Sequence, residues 1–153
     1  MAAWRTAYRG ILADAVLAAL STADRAERWR QILSDPDASV LVLEPEHVGG
    51  VLGFAYLRSA PYADGREDRT GEIDSFNLDP AVWGRGAGRR LLAAIIEEAR
   101  RRSFEDLTLW VFDANHRARR FYEAAGLTFD GTTVSHPRFK VPLLRYGMPI
   151  TTP

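Results

Sequence analysis

Apolar residues recur along this chain with two periods, and the changes of period mark its elements. Trp4, Tyr8, Ile11, Leu12 and Val16 repeat every three to five residues, and Ala26, Trp29, Ile32 and Leu33 do so again after Ser21-Thr22-Ala23-Asp24. That spacing predicts two amphipathic helices. SVLVLE (39–44) and GGVLGFAYLR (49–58) are short β-rich runs parted by Pro45 and Gly49-Gly50, the pattern of a hairpin. PYADGREDRTG (61–71) is polar and turn-rich and reads as a solvated loop. A strand, EIDSFNL (72–78), then leads through a glycine segment into a helix. Next come a strand, DLTLWVF (106–112), and a helix, NHRARRFYEAAG (115–126), with Asn115 as N-cap and Gly126 as stop. LTFDGTTVS and Phe139 to Ile150 make a final pair of strands, with Pro137 and Pro142 disturbing their registers. The order describes one α/β domain over residues 1–153.

Within EIDSFNL the apolar positions Ile73, Phe76 and Leu78 are spaced by three and then two, where an undisturbed strand keeps a period of two. One extra residue at Asp74 or Ser75 restores the faces, which is what a β-bulge does.

Composition narrows the function classes. With 46% hydrophobic residues in 153, the chain can bury one sizeable core. No run approaches the roughly 18 apolar residues of a bilayer span, so no membrane role is expected. The absence of cysteine excludes disulfides, thiolate metal sites and a cysteine nucleophile, and fits a reducing cytoplasm. The three histidines lack metal-ligand spacing, and no G-x-S-x-G elbow is present. Arginines at 100–102 and at 117, 119 and 120 stand in a chain of zero net charge, which argues against nucleic acid. The charges are nonetheless segregated: residues 1–80 hold 8 arginines and 13 acids, and residues 81–153 hold 12 basic and 7 acidic residues. Such segregation predicts separate fields for an anionic and a cationic partner.

The segment VWGRGAGRRLLAAIIEEARRR (82–102) carries the chemistry. A dinucleotide fingerprint fails because Leu91 stands where a third glycine is needed, and a nucleoside-triphosphate loop fails because no lysine precedes Lys140. What remains is bare backbone at the positive end of a helix, with Arg85, Arg89 and Arg90 adding charge, an arrangement suited to a diphosphate.

LDPAVWGRGAGRRLL closely resembles the acyl-CoA pyrophosphate loop of the GNAT superfamily of N-acetyltransferases, and LWVFDANHRARRFYEAAGLTFDG resembles the strand, Asn, helix and aromatic-Tyr pattern that closes that fold. Trp83 stands where the family usually has Arg or Gln. The resemblance implies a mixed, mostly antiparallel sheet flanked by helices, and acetyl-CoA as co-substrate. It implies that Gly84, Arg85, Gly86, Ala87, Gly88 and Arg89 grip the pyrophosphate. Main-chain groups of Phe76, Asn77 and Leu78 would pair with pantetheine in a wedge left by the diverging strand 107–112. Asn115 either contacts the pantetheine arm or serves only as the helix cap.

By the same resemblance Tyr122 is the general acid, and Glu72 takes the amine's proton, commonly through water, with Asp74 the second candidate. Relatives that acetylate the N-terminal alanine of a ribosomal protein place a catalytic glutamate where this chain has Trp110, which argues against that substrate. The implied activity is acetyl transfer to a primary amine of a small molecule or peptide by direct attack; the alternative is a catalytically silent acyl-CoA-binding or sensor domain. The acidic first half favours a cationic acceptor. The helix at the very start departs from the family, which commonly begins with a strand, so either the first strand is absent or the start is late; the sheet is then expected to have one fewer strand at that edge, leaving pairing groups that favour a homodimer or partial disorder.

Overall fold

The computed structural model describes residues 2–46, 49–61 and 69–150, with side chains from residue 5 onward. Most of the polar loop at 61–71, His47 and the side chain of Trp4 lie outside the described residues. Three helices come first: α1 (Ala2–Ala7), α2 (Asp14–Ala18) and α3 (Thr22–Ser34). Then follow β1 (Ser39–Leu43), β2 (Gly53–Ser59), β3 (Thr70–Leu78), a 3-10 turn (Pro80–Val82) and α4 (Ala87–Arg101). β4 (Asp106–Phe112), α5 (His116–Ala124), β5 (Thr128–Ser135) and β6 (Pro142–Pro149) complete the chain.

The six strands form one sheet in the order β1-β2-β3-β4-β6-β5. Every neighbouring pair is antiparallel except β3 and β4, which run parallel. The five-residue β1 forms one edge of the sheet and β5 the other. The β1 edge is tied down from α4: Ser39 Oγ donates to Glu98 at 2.6 Å, and Arg102 donates to the Asp37 carbonyl at 2.7 Å.

α4 buries Leu91, Leu92, Ile95 and Ala99, at helical spacing, against Ala55, Leu57, Ile73, Leu107, Leu109 and Val111 of the sheet. Full burial of a side chain such as Leu107 or Ile95 is worth roughly 1.5–3 kcal/mol. On the other face a smaller cluster joins Leu12, Leu17 and Leu20 to Phe112. The single helix expected from Trp4 to Val16 is thus two short ones. Gly10 sits between them at φ +78°, and the Tyr8 carbonyl accepts from both Ile11 and Leu12 at 3.0 Å. Apolar spacing could not reveal this, because Ile11 and Val16 still pack on the same small cluster after the break.

The bulge in β3 is at Asp74: Ile73 pairs with Leu57 and Ser75 with Tyr56, leaving Asp74 the surplus residue. On the other side, β3 and β4 pair only from Thr70/Asp106 to Ile73/Leu109. Pairing stops where the bulge begins. A bulge bends its strand, and beyond it β3 and β4 diverge into a fork.

Candidate active site

The fork exposes a defined set of main-chain groups. Asp79 N–H donates to the Leu52 carbonyl at 2.7 Å, which marks that pair as hydrogen-bonded. Alternation along an antiparallel ladder then makes Phe54/Asn77 and Tyr56/Ser75 hydrogen-bonded as well. Phe76 and Leu78 therefore turn their N–H and C=O groups away from β2, into the fork. Asn77 departs from the expectation: it lines the cavity, but its main-chain groups face Phe54. The Leu78 carbonyl is already engaged, accepting from Trp83 Nε1 at 3.2 Å.

The glycines after β3 divide by role. Gly84 and Gly86 have φ of +72° and +84°, left-handed values that favour glycine, and a Cβ there would meet open space. Gly88 has ordinary backbone, but a Cβ would lie 3.0 Å from Leu78 Cδ1 and 3.1 Å from Phe121 Cε2. It is a packing glycine that seats α4 against β3 and α5. The first helical bond of α4 runs from Arg90 N–H to the Gly86 carbonyl. Among the described residues the amides of Gly84, Gly86, Ala87, Gly88 and Arg89 donate to no backbone acceptor, as the first turn of a helix requires. Gly84, Gly86, Gly88 and Arg89 line the cavity; Arg85 and Ala87 do not.

α5 delivers Tyr122. Asn115 Oδ1 accepts from Ala118 N–H at 3.2 Å to cap its start. At its end Gly126, at φ +95°, allows Leu127 N–H to bond the Tyr122 carbonyl at 3.1 Å while Gly126 N–H bonds Glu123 at 3.0 Å. Both ends are fixed, and Asn115 and Tyr122 line the same cavity. The Tyr122 ring stands edge-on to Phe76 (6.1 Å) and Phe121 (5.3 Å). Among the described residues its hydroxyl makes no hydrogen bond, and burial, with Tyr8 adding to it, raises its pKa well above the ordinary phenol value.

Glu72 is 3% exposed rather than a solvated strand-edge glutamate. Its Oε1 accepts from Arg58 at 2.6 Å and its Oε2 from Trp110 Nε1 at 3.2 Å. Burial is the largest influence on its carboxyl and, with the charge of Asp74, raises it above the ordinary glutamate range against the pull of Arg58 and the indole. Asp74 pairs with Arg58 at 3.1 Å and Arg28 at 3.0 Å.

His136 accepts from the Arg138 and Phe139 amides at Nδ1, both at 3.1 Å. With Nδ1 so engaged, a neutral ring carries its proton on Nε2 and presents a donor rather than a base. Burial, followed by Arg138 and Lys140, lowers its pKa.

Gly84, Gly86, Gly88, Phe76, Tyr122, Glu72 and His136 all open on one cavity of about 1350 Å³, which runs from the glycine segment through the fork to α3 and the β5–β6 turn. Among the described residues its acidic lining residues are Asp24, Glu72 and Asp74, outnumbered by Arg25, Arg28, Arg58, Arg89, Arg117, Arg120 and Arg138. Among the described residues the wall is therefore more basic than acidic, despite the acidic surplus of residues 1–80. Among the described residues no cluster of three metal-ligating side chains occurs, and no helix is long and apolar enough to cross a membrane.

Sequence reasoning missed three participants. Trp83 braces the loop, with its indole N–H on Leu78 and the Arg117 guanidinium 3.9 Å from its ring centroid. Arg58 joins Glu72 to Asp74. Trp110 crosses the fork to Glu72. Trp83 and Trp110 had a signal, each a tryptophan where the family usually has another residue type; Arg58 had none.

The sequence profile of the acetyltransferase (GNAT) family matches residues 4–127. A mycothiol acetyltransferase of Propionibacterium freudenreichii is 36% identical over 118 residues, which are 77% of this chain and 36% of that protein. The chain thus spans about a third of the length of that relative. An uncharacterised N-acetyltransferase of Mycobacterium tuberculosis is 31% identical over 69% of this chain and 62% of its own. Among solved structures, a GCN5-related N-acetyltransferase from Kribbella flavida is similar with TM-score 0.64 and 28% identity, over 80% of this chain and 76% of that one. A Salmonella typhimurium protein described as an acetyltransferase, solved with its cofactor acetyl-CoA, is similar with TM-score 0.64 and 26% identity, over 88% and 76% of the two chains.

Proposed function

Because the chain belongs to the acetyltransferase (GNAT) family, whose co-substrate is acetyl-CoA, we propose that it moves an acetyl group from acetyl-CoA to a primary amine by direct attack. One observation carries the reading: a single cavity joins the unpaired glycine amides, the main-chain edge of Phe76 and Leu78, Tyr122 and Glu72. The residues present fit the co-substrate. Amides of Gly84, Gly86, Gly88 and Arg89, near the positive end of α4, suit a pyrophosphate, and the Phe76 N–H and C=O and the Leu78 N–H in the fork suit the amide-bearing pantetheine arm. Asn115 Oδ1 is held by the cap, so its amide N–H₂ is the part it can offer that arm.

Bound acetyl-CoA supplies a thioester already activated toward amines. The chain's residues then handle two protons. Glu72 Oε1 or Oε2 takes the proton of the attacking amine, directly or through water, and its raised pKa makes it a stronger base than an ordinary glutamate. Tyr122 Oη keeps its proton throughout the neutral range and delivers it at the departing sulfur. No cysteine is available to carry the acetyl group on the protein, which supports direct attack.

The acceptor is a small molecule or a peptide amine, and the name of the mycothiol acetyltransferase relative supports the former. Among the described residues the cavity's charges do not favour a cationic acceptor, since Glu72 and Asp74 are paired with Arg58 and Arg28. The decisive test is thiol release from acetyl-CoA across a panel of amines, with calorimetry of acetyl-CoA binding alongside. Turnover on at least one amine is expected. Binding without turnover on any would establish the silent acyl-CoA-binding domain instead, and no binding at all would overturn both.

A further inference from the structure

Trp110 is the first residue of β4 beyond the last backbone pair, Ile73/Leu109, so it stands at the root of the fork. Its indole N–H reaches across to Glu72 Oε2 at 3.2 Å, two residues back on β3. It replaces with a side chain the rung that the backbone no longer supplies. The other oxygen of Glu72 is held from the opposite side, by Arg58 of β2 at 2.6 Å. A carboxylate gripped at both oxygens from two different strands has one orientation, and both Trp110 and Glu72 line the cavity.

We propose that Trp110 is a positioning residue, whose indole N–H fixes the Glu72 carboxylate at the mouth of the fork and favours its charged form. The proposal rests on the reading of Glu72 as the base. Among the described residues the charged groups that bear on Glu72 are Arg58 from β2, Asp74 from the bulge, and Arg28 of α3 behind Asp74; Arg145 of β6 lies 5.8 Å from the centroid of the Trp110 ring. Trp110 is uncharged, so replacing it removes a hydrogen bond while leaving the net charge of the site unchanged.

The test needs no acceptor. In the wild type, the indole ¹⁵N–¹H resonance of Trp110, recognised by its disappearance in Trp110→Phe, is followed against pH together with the ¹³C resonance of the Glu72 carboxyl. Both are expected to move with one shared midpoint, and the indole step is expected to vanish in Glu72→Gln. In Trp110→Phe the Glu72 midpoint is expected to rise by about one pH unit, the tenfold change that loss of a hydrogen bond to a charged group produces. An indole resonance that does not move with Glu72, or a Glu72 midpoint unchanged in a folded Trp110→Phe, overturns the proposal and leaves Trp110 a packing residue. If Trp110→Phe does not fold, the indole resonance is assigned by through-bond correlation to the Trp110 backbone, and the wild-type titration decides the matter. Failure of every amine in the transfer assay, with the shared midpoint present, would overturn the transferase reading while leaving the contact itself in place.

Discussion

The guanidinium of Arg117 lies over the indole of Trp83, 3.9 Å from the ring centroid, and joins the start of α5 to the loop that leads into α4. The same indole donates to the Leu78 carbonyl, so one side chain links three elements around the glycine turn. A cation held over an indole is worth about 0.5–2 kcal/mol. Trp83→Ala is expected to weaken acetyl-CoA binding about tenfold by freeing the loop. Trp83→Phe, which keeps a ring beneath Arg117 but loses the N–H, should lose less. Calorimetric titration with acetyl-CoA reads both.

The glycines should separate by measurement. Gly88→Ala places a methyl group against Leu78 and Phe121, and overpacking of this kind costs about 1–3 kcal/mol in denaturant unfolding. Gly84→Ala and Gly86→Ala meet open space, so their cost is the left-handed backbone alone, about 1–2 kcal/mol. Acetyl-CoA affinity should fall in all three, since each change alters where the first-turn amides point.

Tyr122→Phe removes the proton donor while leaving the ring between Phe76 and Phe121. The expected loss in kcat is roughly 10²–10⁴-fold, with acetyl-CoA affinity nearly unchanged. Because the native hydroxyl titrates above the ordinary phenol value, the wild-type rate should show no alkaline limb from Tyr122 below that value. A variant with wild-type kcat across pH would remove Tyr122 from the chemistry.

Glu72→Gln should abolish the acidic limb of the rate profile along with most of the activity. In the wild type the rate rises as Glu72 loses its proton, and that rise should lie at higher pH than for an ordinary glutamate. The stability counterpart has a definite sign. A carboxyl with its native pKa raised contributes stability that is full below its unfolded pKa and lost as pH rises through the native value. Denaturant unfolding across that window should fall with pH in the wild type and less so in Glu72→Gln.

What the sequence could show followed from spacing. The strand 106–112 and the helix with Asn115 and Gly126 at its ends were legible because apolar period and cap residues agreed. The bulge at Asp74 was legible because one interval in EIDSFNL was three instead of two. The break at Gly10 was hidden because both halves of that segment feed one apolar cluster. The pairing of Asn77 with Phe54 was hidden because main-chain direction depends on ladder parity, which needs a partner strand. Arg58 and Trp110 were illegible as partners of Glu72, since they come from neighbouring strands 14 and 38 residues away.

The surplus residue at Asp74 leaves the pairing of β2 with β3 in step on both sides of it. Deleting it would therefore keep every remaining side chain on its face, yet straighten the strand and let β3 and β4 zip shut past Ile73 and Leu109. One amino acid of slack separates a sealed sheet from one with a doorway, so at this position chain length matters as much as residue type.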